Sequence, residues 1–528
     1  MQRPKMTTHR RKDKGAVPQT ARKSRLTVSN KMSRGGKAFA VEKQIVQMDL
    51  FATTAEAKPS KAEAIGNRVC SQHTSKPTVP KVANTTIRNG LTDMERICIE
   101  LDDSLAKVAS NKGSPGPDRQ TIEAVKFNWK MIKPKLISLL QTGAYHPGDI
   151  RRVWIPKASG GQRGLGIPNV IDRVVQEATR RVLETRFEAK FHENSHGFRP
   201  HRSCHSAIAQ ASEYLQEGFG YVVDIDLKDF FNRVHHQRLL SSLKRDVHDK
   251  SVLKLIHRML KAKVVMPDGV RVSNEMGAPQ GGPLSPLLSN IVLDELDQEL
   301  SQRGLRFVRY ADDCNIYVKS RRAGERVMAS ITRFIQRRLH LEVNTAKSTV
   351  AQPSERHFLG FSLHRKESGE VEINLSERSK TRLRDRLKEL TPRNLGSSIK
   401  TAITKVNAYL QGWIGFFGVC TEIVERHLSR ADAHIRRRLR AITLKQWKRK
   451  RTMYRRLIEL GAKQKSAGEQ LYGGRKNLWV LSHAPVVDRA LNNAYWRDQG
   501  LNSLATLWKI SKTSLYQTVP KQMVMNFG

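Results

Sequence analysis

LRFVRYADDCNIYV, Leu305 to Val318, holds two runs of β-branched and aromatic residues on either side of Ala311-Asp312-Asp313. The runs read as short strands and the tripeptide as the turn between them, so the stretch predicts a hairpin with two adjacent carboxylates at its tip. Asp is a common turn residue, and a solvated turn is the plain reading of such a pair in isolation. Like charges fixed side by side repel, however, and a cation that meets both relieves the repulsion.

A partner strand lies upstream. YVVDIDL, Tyr221 to Leu227, alternates as a core strand does. Tyr221, Val223, Ile225 and Leu227 point one way and Val222, Asp224 and Asp226 the other, so two more carboxylates share a face. RRVWIPKASGGQRGLGIP, Arg151 to Pro168, reads as two strands around a Gly-Gly turn flanked by Lys157 and Arg163, a hairpin suited to phosphate contact. GAPQGGPLSPLL, Gly277 to Leu288, is a Gly- and Pro-dense loop entering a helix. Asp172 to Phe191 is a helical run, broken by HGFRPH at His196 to His201, and Ser203 starts another helix. A helical pattern from Leu91 to Val108 and the loop NKGSPGPD, Asn111 to Asp118, precede these.

Beyond Gly360 the composition turns to helix formers and arginine. Ile399, Ile403, Val406, Leu410, Trp413 and Phe417 recur at spacings that define one apolar helix face, expected to be core. Glu422 to Arg456 reads as a long helical stretch carrying Arg436, Arg437, Arg438, Arg440, Lys445, Lys448 and Arg449 around Trp447. Cations interleaved with an aromatic ring point to RNA phosphates contacted beside a stacked base. A last region with Trp479, Trp496 and Trp508 is expected to fold.

The whole chain agrees with a nucleic-acid partner. Its 528 residues carry 94 Lys and Arg against 49 Asp and Glu, a formal charge of +45 that a polyanion would neutralise. No apolar run approaches a membrane span. The five cysteines are scattered, with neither a metal-binding pair spacing nor a disulfide framework, which fits a reducing cytosol. Residues 1 to about 40 hold a single acid, Asp13, and no apolar periodicity, so a disordered basic arm is expected there. The cytoplasm or nucleoid is the expected location, with a mitochondrion as the alternative for an Arg-rich, acid-poor end.

Carboxylates from separate strands suit a two-metal clamp for phosphoryl transfer, one ion activating a 3′ hydroxyl and one holding a triphosphate. On these motifs the chain resembles a bacterial group II intron reverse transcriptase and maturase. YADD, DIDLKDFF, GAPQGGPLSPLLSN, IPKASGGQRGLGIP, HGFRPHRSCHSAI, NTAKS with FLGFSL, and NAYLQGWIGFF with LKQWKRKR follow the family's order from about Leu91 to Trp508. The resemblance implies an α+β right-hand polymerase: a basic N-terminal extension over 1–85, fingers and palm over 86–365, an α-helical thumb or maturase X domain over 366–462, and a small DNA-binding region over 463–528.

It further implies RNA-directed DNA polymerisation from deoxynucleoside triphosphates with two magnesium ions, or manganese in their place, and intron RNA and target DNA as partners. Asp226, Asp312 and Asp313 are then the metal ligands, with Asp224 as competitor on its strand and a backbone carbonyl of Leu227, or of Ile225, completing the set. Lys157, Arg163 and Gln280 hold the nucleotide, Phe231 gates its sugar, and Lys347 stands near the pyrophosphate. Two further readings stay open: a related polymerase recruited to repair, phage defence or spacer acquisition, and an RNA-binding splicing cofactor that does not need its polymerase.

Three places depart from the family pattern. Pro117 and Arg119 stand where an aliphatic residue and a Gly are commoner, and Asp229 and Asn232 where Gly and Asp are. No Cys lies beyond Cys420, so the His-Asn-His endonuclease with two Cys pairs found in many relatives is not expected. QMDLF, with Gln47, Leu50 and Phe51, resembles the peptide by which bacterial proteins dock on the DNA polymerase sliding clamp.

Overall fold

Strands form where the alternation predicts them, and they gather into three sheets. The computed structural model describes residues 90–156, 161–474 and 477–518, without the side chains of 422 and 514–518. The clamp-like peptide and Lys157 lie outside the described residues. All that is described belongs to one unit, Ala52–Gly528.

The fingers sheet takes the order β2-β1-β4-β5. β1 (Ile150–Pro156) and β2 (Gln162–Ile167) make the expected antiparallel hairpin, and β4 (Val264–Val265) with β5 (Arg271–Val272) extends it. In the palm sheet the order is β6-β7-β3-β8. β3 (Tyr221–Ile225) is flanked on both sides, by β7 (Asp313–Val318) and β8 (Thr349–Ala351), while β6 (Arg306–Tyr310) lies at the edge as the other half of the expected hairpin. A central position suits the β-branched run of β3. The remaining pair, β9 (Phe361–Arg365) and β10 (Val371–Leu375), leads into the helical part.

The palm sheet is packed on both faces. Val223, Ile225, Phe307, Cys314 and Ile316 join one core with the helices Val170–Phe187, Ser285–Gln302 and Arg321–Phe334. Val222, Val308 and Tyr317 join a second core with the helix Cys204–Gln216 and the thumb. The predicted apolar face of the thumb helix Ile399–Phe417 is this second core: Ile403, Val406, Leu410, Trp413 and Phe417 are buried and Ile399 packs at its edge. Polar N-caps start many of these helices, including Thr92, Ser203, Asp249, Ser320, Ser376 and Ser398, each accepting a backbone N–H that the helix leaves unpaired.

Two sequence expectations are corrected. The Leu91 to Val108 pattern is two helices, Asp93–Ile99 and Leu101–Ser110. The basic stretch is a short 3-10 turn, Glu422–Val424, then helices Glu425–Gln446 and Lys450–Glu459, separated where Lys448 takes φ of 58°. The C-terminal stretch shares the thumb core through Trp496, Leu504 and Trp508, and Asp432 accepts from the Leu504 and Ala505 amides and the Ser503 hydroxyl.

Candidate active site

The hairpin register brings the carboxylates together. Asp224 pairs with Asn315, Ile225 with Cys314 and Tyr310 with Asp313, leaving Ala311 and Asp312 as a two-residue turn beside the end of β3. Asp313, Asn315 and Asp224 share the sheet face opposite the Val223 and Ile316 side. Asp226 follows directly after β3, and the 344–348 turn clamps it. Ser348 Oγ accepts from the Asp226 N–H at 3.0 Å, and the Asp226 carbonyl accepts from the Asn344 N–H at 2.8 Å.

Asp224 and Asp226, neighbours on one face, have different fates. Arg356, just past the 3-10 turn Pro353–Glu355, donates from both Nε, at 2.9 Å, and a terminal nitrogen, at 2.5 Å, to one oxygen of Asp224. That carboxylate is occupied by a guanidinium. Asp226 has instead Lys347 Nζ at 3.5 Å, on a side chain 63% exposed.

Electrostatics ties Asp226, Asp312 and Asp313 into one field. Burial raises the Asp312 pKa, with the Asp226 charge adding to the rise and Arg163 opposing it. Asp313 is pushed up to about 7, first by the surrounding protein and then by Asp312, Asp224 and Asp226, against Lys347. Its outer surface still meets solvent, so the crowding is beneath it, at the cleft floor. Among the described residues no three His, Cys, Asp or Glu side chains close a metal cage by themselves. An incomplete set of hard oxygens with unrelieved like charge fits magnesium, which takes one or two carboxylates and completes its shell with water and substrate phosphates.

The turn itself is held from beneath by residues that the motif reading missed. Arg309 is fully buried. Its guanidinium donates to both oxygens of Asp297 at 2.7 and 2.5 Å, to Asn290 Oδ1 at 3.0 Å, to Ser195 Oγ at 2.7 Å and to the Ala311 carbonyl at 2.9 Å. Ala311 takes φ of 58°, a conformation that costs an L-residue about 1–2 kcal/mol, and the Arg309 bond helps to hold it. Gly197 of the HGFRPH loop lies so close that a Cβ there would stand 2.3 Å from the Ala311 nitrogen. The His196 amide donates to the Arg309 carbonyl at 2.8 Å.

Nucleotide-contacting candidates converge on the same cleft. The Ala278 amide donates to the Phe231 carbonyl at 2.7 Å, docking the half-buried Phe231 on the Gly277 loop, and the ring packs edge-on against Phe230 at 5.3 Å. The Gln280 carbonyl accepts from the Gly166 amide at 2.6 Å and joins that loop to the fingers hairpin. Gly281 makes the junction feasible: it takes φ of 121°, and a Cβ would stand 2.4 Å from the Gly166 oxygen. Arg163, on the same hairpin, is exposed and acts on Asp312 through space. Two departures from the family pattern find a conformational meaning, since Arg119 and Asp229 take φ of 59° and 48° where glycine is the commoner residue.

The expected RNA-contacting cations divide. Arg440 is buried, donating from Nε to the Leu491 carbonyl at 2.9 Å and pairing with Asp488. Arg438 donates to the Thr391 hydroxyl at 2.7 Å and carbonyl at 2.6 Å, and Arg437 lies 4.1 Å over the Trp479 ring. Lys445 is exposed and donates to Asn394 Oδ1. Trp447 is half-buried and packs at the edge of the thumb core, while Arg438 and Arg440 hold the thumb together. Lys448 and Arg449 are exposed, and Arg436 is half-buried.

A β-hairpin carrying paired carboxylates, set against a strand that ends in a third, on a palm sheet beside a fingers hairpin and a helical thumb, is the architecture of a template-directed nucleic-acid polymerase. The family model for reverse transcriptase (RNA-dependent DNA polymerase) matches residues 155–363, and the one for the group II intron maturase-specific domain matches residues 380–459. Protein YkfC of Escherichia coli is 32% identical over 310 residues, 51% of this chain and 80% of that protein. Group II intron-encoded protein LtrA of Lactococcus lactis is 37% identical over 204 residues, 38% of this chain and 33% of LtrA. A putative COX1/OXI3 intron 2 protein of Saccharomyces cerevisiae is 33% identical over 222 residues, 42% of this chain and 25% of that one. The chain belongs to the group II intron reverse transcriptase and maturase family. It spans a third or less of LtrA and of the yeast protein. That family polymerises deoxynucleotides on RNA with divalent metal ions. No helix among the described residues is long and apolar enough to cross a membrane.

Proposed function

We propose that this chain binds the RNA of a group II intron, promotes its splicing, and then copies it into DNA at a DNA target. The observation that carries the polymerase half is the division of labour at the end of β3: Asp224 is occupied by the Arg356 guanidinium, whereas Asp226, beside the exposed Lys347, acts on both Asp312 and Asp313.

Asp226, Asp312 and Asp313 would hold two magnesium ions. Leu227 is taken as the backbone partner in preference to Ile225, and its carbonyl lies outside the bridge that follows β3. The bridge between Leu227 and Val343 is made by Lys228 N–H to Glu342 O and Asn344 N–H to Asp226 O, so the Leu227 carbonyl takes no part in it. When bound, the ions lower the pKa of the primer 3′ hydroxyl and neutralise charge on the phosphates. Arg163 and Lys157 clamp the triphosphate, Gln280 orients the nucleotide, and the Phe231 ring blocks a ribose 2′ hydroxyl. As the 3′ oxygen loses its proton to solvent and bonds to the α-phosphorus, the bond to pyrophosphate breaks, and Lys347 gives a proton to the leaving oxygen. The C-terminal stretch, 463–528, serves DNA, and the exposed Lys448 and Arg449 serve RNA phosphates.

The test is paired. Asp312→Asn with Asp313→Asn lowers primer extension on an RNA template by more than about 10³-fold, as expected for lost transition-state charge stabilisation, while assistance to splicing persists. Equal loss of both would mean that these residues support folding. RNA copurifying with the native protein separates the intron role from a recruited polymerase: an intron enclosing the reading frame supports the first, another structured RNA the second. For QMDLF, a pull-down with Leu50→Ala and Phe51→Ala tests clamp docking.

A further inference from the structure

The fingers hairpin has two faces. Cross-strand pairing puts Ile155 with Arg163, the face whose charge reaches Asp312. On the other face Trp154 pairs with Gly164 and Arg152 with Gly166. Trp154 is 45% exposed, a large apolar ring presented to solvent on a basic protein.

Its seat is built. A Cβ on Gly164 would stand 3.0 Å from the Trp154 ring and 2.7 Å from an Arg152 terminal nitrogen, so both side chains lie across that glycine. The same guanidinium donates to the Gly164 carbonyl at 2.9 Å and stands 5.8 Å from the indole centroid. Arg152 also lines a small cavity with Asn232, Gly277, Pro279 and Gln280, so this face opens toward the loop that meets the incoming nucleotide. An indole settled on a glycine beside a fixed guanidinium is the arrangement that stacks nucleobases without regard to sequence.

We propose that Trp154, with Arg152 beside it, is a stacking platform for an unpaired base of the template strand ahead of the copied position. This rests on the polymerase reading. The primer end is paired and lies at the carboxylates, so the strand that passes the fingers unpaired is template not yet copied. The adjacent guanidinium supplies charge complementary to its phosphates.

The alternative is that Trp154 merely covers hairpin backbone, for which any apolar side chain of similar bulk suffices. Trp154→Leu separates the two, because leucine keeps the bulk and removes the flat face. The probe is a DNA primer on an RNA template whose 5′ overhang is either one nucleotide or six, with the affinity ratio of the two as readout. The native protein favours the long overhang, and Trp154→Leu loses roughly 5- to 100-fold of that preference, whereas Trp154→Phe retains most of it. With 5-iodouridine at successive overhang positions, photocrosslinking to Trp154 peaks at one position and disappears in the leucine variant. An unchanged ratio in Trp154→Leu, or crosslinks from the overhang that never map to Trp154, overturns the platform. The polymerase reading fails differently, by absence of extension in the native protein on either template.

Discussion

Arg309 and Asp297 form an ion pair, 2.5 Å at its shorter contact, with both side chains essentially without solvent exposure. Breaking such a pair strands a charge in a low-dielectric interior, at a cost of about 3–5 kcal/mol. Asp297→Asn therefore destabilises the protein by about that amount in urea denaturation. Arg309→Met with Asp297→Leu, which removes both charges, costs distinctly less. A double variant as unstable as the single one would show that the hydrogen bonds to Asn290, Ser195 and Ala311 matter more than the charge.

Asp313→Asn separates stability from chemistry. With its pKa raised to about 7 by burial and by neighbouring acids, the ionised carboxylate costs the fold free energy at pH 7. Solvent on one side reduces that cost well below the full shift, so the amide is expected to gain about 1 kcal/mol in metal-free buffer. Primer extension is lost. Thermal denaturation without divalent ions checks the first statement; a lower Tm for the variant refutes it.

Acid weakens the underside of the site. His196, 2% exposed, has its pKa lowered to about 4 by burial and then by Arg202, Arg199 and Arg309. The unfolded chain protonates near pH 6.5 and the folded one near 4, so between those values the unfolded state binds more protons and stability falls as pH falls. The slope is about 1.4 kcal/mol per pH unit for this one group. His196→Gln flattens the stretch between pH 6.5 and 4 in denaturant midpoints, and an unflattened profile would clear His196 of the effect.

Arg119→Gly reverses the usual sign of a glycine substitution. Arg119 holds φ of 59° in an exposed loop. Relief of left-handed strain, about 1–2 kcal/mol, exceeds the added entropy of the unfolded chain, about 0.4–1 kcal/mol. A gain of about 0.5–1 kcal/mol is expected in chemical denaturation.

Phe231→Ala opens the sugar gate. Ribonucleotide incorporation relative to deoxynucleotide rises by about 10- to 100-fold, the range of a lost steric contact worth about 1–3 kcal/mol. An unchanged ratio of kcat/KM values assigns the selection to another residue.

Local patterning made the palm legible. The alternation from Tyr221, the hairpin turn at Ala311 and Asp312 and the thumb periodicity each depend on neighbours in sequence, and the structure keeps all three, with the strand ending at Ile225 and Asp313 already paired in β7. Arg356 against Asp224 was not legible, because the pair spans 132 residues and nothing local announces it. Arg309 and Asp297 left a trace that went unused. Each charge sits at a core-facing phase, Arg309 two residues after Phe307 on its strand and Asp297 between Leu296 and Leu300 on its helix. The thumb was legible in part: its cations could not be sorted from sequence into those, such as Arg438 and Arg440, that bond to Thr391 and Leu491 and those left exposed, and the break at Lys448 carries no Gly or Pro.

The palm sheet, with one core on each face, is a partition between two rooms. A partition loaded from both sides transmits force from either. A void made in the thumb, such as Leu410→Ala at about 2–5 kcal/mol, is felt first through Val222 and Tyr317, on the strands that carry Asp224 and Asp313. Packing in the thumb and the placement of the carboxylate-bearing strands therefore share one core.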